Sequence, residues 1–112
     1  MVKALRDVAQ ADAVAVINRD GGIVAASLPD TVSPETFSIM CAAILGAGMT
    51  AATEFRRAAP HRVLLESKDA TILIEEIGRR AMLVLVVPPE RSPDSLSTAI
   101  SRFRQAVEKD LS

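Results

Sequence analysis

Between Arg62 and Val87 the chain reads RVLLESKDATILIEEIGRRAMLVLVV, three apolar runs separated by the short segments Lys68-Asp69 and Gly78-Arg79-Arg80. Separators of this length leave no room for a crossover helix, so Arg62–Ser67, Thr71–Ile77 and Ala81–Val87 are expected to form a meander of antiparallel hairpins. The last run is apolar on both faces, with Ala81, Leu83, Leu85 and Val87 on one and Met82, Val84 and Val86 on the other. A strand with two apolar faces belongs in the middle of a sheet, with helices covering both sides. Pro88-Pro89 closes it.

A second nearly continuous apolar run, Ala13–Ile17, is followed by Asn18-Arg19-Asp20-Gly21-Gly22 and then by Ile23–Ser27. Asp-Gly supplies the positive backbone torsions of a tight turn, which predicts a hairpin. Placing the first and fifth strands side by side gives the antiparallel order 2-1-5-4-3. The second strand, short and ended by Leu28-Pro29, then forms one edge. The third forms the other, and with neither Pro nor Gly it is open to pairing with the same strand of another copy.

Helices account for the rest. Val2, Leu5 and Val8-Ala9 recur at helical spacing over residues 2 to 10. Ser33-Pro34-Glu35 combines a capping side chain, a first-turn proline and an acid at the positive end of the helix dipole, opening a long helix that is expected to reach about Arg57. Ser92-Pro93-Asp94 repeats that signature ahead of a final helix to about Lys109, with Leu96, Ile100, Phe103 and Val107 in one stripe. The architecture expected is an α+β sandwich: a five-stranded antiparallel sheet with the long helix on one face and the N- and C-terminal helices on the other.

The long helix carries no charge from Thr36 to Thr53. A helical wheel assigns Phe37, Met40, Cys41, Ile44, Gly48, Ala51 and Phe55 to the face packed on the sheet. The remaining faces should be polar, yet they hold Ile39, Ala42, Ala43, Leu45, Gly46, Ala47, Met49, Thr50 and Thr53. Small residues let a second helix approach closely. This stretch is almost long enough to cross a bilayer, but it is Ala-rich and interrupted by hydroxyls, so burial in a soluble protein is expected and membrane insertion is not.

The chain has 112 residues, 49% hydrophobic but only 3% aromatic, with 13 basic and 14 acidic side chains. Its length fits a single domain over residues 1–112. The balanced charge offers no footprint for nucleic acid. A domain this small buries only about two-thirds of the surface of its unfolded chain, so the aliphatic surplus implies a partner. The lone Cys41 cannot form an intrachain disulfide, and no export pattern is read at Met1–Val8, so a cytoplasmic location is expected.

No catalytic constellation emerges. His61 is the only histidine and has no metal-binding companion nearby in sequence. Cys41 lies on the predicted sheet-facing stripe as a small hydrophobe. Glu75 and Glu76 are adjacent on a strand and point to opposite faces. Asp20-Gly21-Gly22 joins two strands and lacks the helix and lysine of a phosphate loop. Neither metal nor cofactor is expected.

The hairpin Val14–Ala25, the Ala/Gly/Met/Thr-rich helix up to Glu54, and the segments Val63–Ile74 and Gly78–Leu85 together resemble the Roadblock family of dynein light chains and small-GTPase regulators, which is related to longin domains. The resemblance implies a homodimer, or a heterodimer with a similar subunit, joined through the third strands with the two long helices together on one face. Ala43, Ala47, Arg62, Val63, Leu64, Leu65 and Glu66 are the expected dimer interface. Ile39, Ala42, Leu45, Gly46, Met49, Thr50, Thr53 and Arg56 are expected to meet a partner protein. The function implied is non-enzymatic: a regulator or adaptor of a small Ras-like GTPase that could stimulate GTP hydrolysis. A purely structural light-chain-like scaffold and a small-molecule sensor are the alternatives. Arg56, Arg57, Arg79 and Arg80 are available as an arginine finger, although paired arginines at a helix end or a strand turn more simply supply solvated charge.

Overall fold

The computed structural model describes residues 2–90 and 93–111. In chain order its elements are α1 (Val2–Ala9), β1 (Ala13–Asn18), β2 (Ile23–Ser27), α2 (Pro34–Glu54), β3 (Arg62–Glu66), β4 (Thr71–Ile77), β5 (Ala81–Val87) and α3 (Pro93–Leu111). The strands form one antiparallel sheet in the order β2-β1-β5-β4-β3. That is the order demanded by the two apolar faces of β1 and β5.

Boundaries shift for local reasons. α2 stops at Glu54, short of Arg57, because Arg56 turns left-handed at φ 55°. The amides of Arg56 and Arg57 then donate to the carbonyls of Thr53 and Ala52 at 2.9 and 3.0 Å. This two-bond cap satisfies orphan carbonyls but has an arginine where glycine is usual. α1 ends the same way at Gln10, at φ 54°. Asn18 extends β1 by one residue, β3 stops at Glu66, and α3 continues to Leu111. The expected cap Ser92 lies outside the described residues.

Alternation along the strands divides the core into two layers. Val14, Val16, Leu73, Leu83 and Leu85 point to the face covered by α1 and α3, where Leu5, Leu96, Ile100, Phe103 and Val107 meet them. Ala15, Ile17, Ile74, Met82 and Val84 point to the opposite face, where Cys41 and Leu45 of α2 cover them. Edge strand β2 is interrupted by a register shift between Val16 and Ile17, a bulge that discourages further pairing. β3 has no such device; its one neighbour is β4.

The β1–β2 turn sets the position of α2. Gly21 has φ +93°, and a Cβ placed on it would lie 3.0 Å from both Cα and Cγ1 of Ile39. The turn is tied by the Gly21 amide to Asn18 O at 3.0 Å and by the Gly22 amide to Asp20 Oδ1 at 2.9 Å. Gly21→Ala is therefore expected to cost about 1–3 kcal/mol through left-handed strain and displacement of α2. Urea midpoints would measure it, and no loss would show that the turn and helix yield freely.

Candidate functional site

α2 begins as its sequence directs. Ser33 caps it, accepting from the Thr36 amide at 3.4 Å, with Pro34 in the first turn. Farther along, Thr50 donates its hydroxyl to Gly46 O at 3.1 Å and Thr53 donates to Met49 O at 3.0 Å. These threonines have turned their polar atoms back onto the helix. The outward face over Ile39, Met40, Ala43, Gly46, Ala47, Thr50 and Thr53 is thus exposed, uncharged and low in unsatisfied side-chain donors. A Cβ added to Gly46 would have nothing within 4 Å, so a second helix can approach that point closely. α2 is also long and apolar enough to cross a membrane by length and composition, with 22% of its apolar stretch buried. It is buried along one side only.

The sheet-facing stripe is rotated from the predicted one. Ser38, Cys41 and Leu45 are buried, flanked by half-buried Phe37, Ala42, Ile44, Gly48, Met49 and Ala52. Met40 is 54% exposed, Phe55 is 80% exposed and Ala51 is also exposed. A helix apolar all round gives the wheel little direction, and a serine at the centre of the contact runs against any apolar pattern. Leu45, expected on the partner surface, is only 1% exposed and belongs to the core. Ala42 and Met49 are half-buried, and Met49 Sδ receives the Arg19 guanidinium at 3.7 Å. Ile39, Gly46, Thr50, Thr53 and Arg56 do lie outside, with Ala43 and Ala47 beside them.

Beside this face runs the open edge of β3. Val63 is half-buried, whereas Leu64, Leu65 and Glu66 are exposed. Arg62 is held from behind: it donates to Glu75 Oε1 at 2.5 Å, and Arg104 of α3 binds Glu75 Oε2. Glu75 is 2% exposed, so a buried carboxylate joins the edge strand to α3. Glu76 points to the other face and pairs with Arg19 at 2.7 Å, while Arg19 also donates to Arg79 O at 3.0 Å. Sequence reasoning separated the two carboxylates correctly but had no signal for the arginines that meet them, since these arrive from distant elements.

Among the described residues, Cys41 and His61 do not converge: one is buried under α2 and the other exposed before β3. Burial pushes the Cys41 thiol up to about 11, away from the thiolate form a nucleophile needs. His61 is exposed, its carbonyl accepting from the Glu76 amide at 3.0 Å. Among the described residues, no group of three or more His, Cys, Asp or Glu could hold a metal ion. Arg56, Arg57, Arg79 and Arg80 are exposed at two separate places, the end of α2 and the β4–β5 turn.

The fold is an α+β sandwich whose β3 edge has no bulge and whose α2 has one exposed, uncharged face. The chain belongs to the Roadblock/LC7 domain family, whose model matches residues 1–87. By sequence, no curated protein matches it. Among solved structures it is similar to Myxococcus xanthus MglB at 15% identity, covering 96% of this chain and 89% of that one with TM-score 0.87. It is similar to a Roadblock/LC7 domain from Streptomyces avermitilis at 14% identity, covering 99% and 97%, with TM-score 0.86. A third is an MglB described as having a tetrameric arrangement, at 17% identity, 96% and 82% coverage and TM-score 0.81. Identities this low establish a shared fold.

Proposed function

We propose that this chain is a non-catalytic, dimeric regulator or adaptor of a small Ras-like GTPase in the cytoplasm, acting as one domain over residues 1–112. The observation that carries the proposal is the outward face of α2, uncharged and apolar beside the open edge of β3. Two copies joined through β3 would continue the sheet and bring their α2 helices together as one platform. Family membership supports such a role, since Roadblock domains generally serve as adaptors or regulators. The MglB with a tetrameric arrangement supports self-association. A platform of this kind would act by positioning the GTPase's own switch and catalytic groups, with Arg56 just past the end of that helix as an electrostatic contact.

Single-turnover GTP hydrolysis and nucleotide release by a Ras-like GTPase from the same source, with and without this protein, test the proposal. A changed rate for either step is expected. Absence of binding together with unchanged rates would overturn it, whereas binding without any rate change would identify a scaffold.

A further inference from the structure

We infer that Phe55 is the anchor of the self-association interface, packing on the α2 helix of a second copy. The inference rests on the edge-to-edge dimer proposed above and adds to it a residue outside the expected interface. α2 crosses the sheet from the β1–β2 turn, where Ile39 meets Gly21, to the far edge, where a Cβ on Gly48 would lie 3.6 Å from Val63 of β3. β3 is the last strand, yet the helix runs on for about 10 Å between Gly48 and Phe55 at the usual rise per residue. Its end therefore overhangs the sheet. That accounts for the 80% exposure of Phe55, one of three phenylalanines in the chain.

A second copy paired through β3 supplies what the overhang lacks. Two-fold symmetry runs its α2 antiparallel to the first, so the end of each helix meets the outward face of the other, where Ala43 and Ala47 leave room for a ring. Charge fits as well. Glu35 lies at the start of α2, and Arg56 and Arg57 lie just past its end. None of these exposed side chains is ion-paired among the described residues. Antiparallel helices give each end of the pair opposite rather than like charge, at long range, since Glu35 lies about 12 Å along the helix from Ala43.

Equilibrium sedimentation of the wild-type chain, Phe55→Ser and Phe55→Leu provides the test, with thermal melts to confirm that the protomer still folds. Phe55→Ser is expected to raise the dimer dissociation constant by at least about tenfold, as loss of a central aromatic anchor does, and Phe55→Leu to recover part of the loss. An unchanged dissociation constant in Phe55→Ser would overturn the anchor while leaving the dimer standing. A monomeric wild-type chain would overturn the dimer itself. Unchanged dimerisation with lost GTPase binding would also overturn the inference, assigning Phe55 to the other partner.

Discussion

A Leu45→Asp chain is expected not to fold, whereas Ala47→Glu, on the same helix, is expected to fold and to remain monomeric. Leu45 is 1% exposed between α2 and the sheet, among Ala15, Ile17, Ile74, Met82 and Val84. Aspartate there forfeits about 2–3 kcal/mol of apolar burial and adds several kcal/mol for a polar group without a partner. Set against a total stability of roughly 5–15 kcal/mol, such a loss removes most of the folded population. Ala47 faces outward and is exposed, so a glutamate there should change protomer stability by no more than about 0.5 kcal/mol. Within a pair of α2 helices, however, the longer side chain would fill the space that Ala47 leaves for the ring at the end of the second helix. Circular dichroism and light scattering distinguish the outcomes, and a folded Leu45→Asp or a dimeric Ala47→Glu would show that the helix faces are wrongly assigned.

Removing the buried carboxylate is the other large change. Glu75→Ala is expected to cost about 3–5 kcal/mol, toward the lower figure because its partners retain some contact with water. The Arg62 and Arg104 side chains are 31% and 37% exposed, while the Glu75 side chain is 3% exposed. The loss should reach the sheet edge as well as the core, since Arg62 belongs to β3 and Arg104 to α3. Urea unfolding measures the first effect and the dimer dissociation constant the second. A loss below about 1 kcal/mol would mean that the two arginines find equivalent partners in water.

The strands were legible because their pattern has one solution. Ala81–Val87 is apolar on both faces and must be central, which places Ala13–Ile17 beside it and exposes β3 at the edge. α3 was equally legible, since Leu96, Ile100, Phe103 and Val107 form the single apolar stripe of an otherwise polar helix. α2 resisted. With Ala, Gly, Met and Thr on every side, its wheel has no polar face to oppose the core, and so it puts Leu45 outside and Met40 inside where the fold has the reverse. Phe55 was misplaced for another reason: it is the C-cap, and the chain turns left-handed immediately after it. The Glu75 triad depends on contacts across 13 and 29 residues, and no local spacing reports those.

The most direct test of the account is the mass of the wild-type protein in solution at micromolar concentration. Sedimentation equilibrium should return twice the 11.9 kDa of the chain, as two copies joined through β3 and α2 require. A single species at 11.9 kDa would contradict the account, because the bare edge and the bare helix face would then both remain open to water.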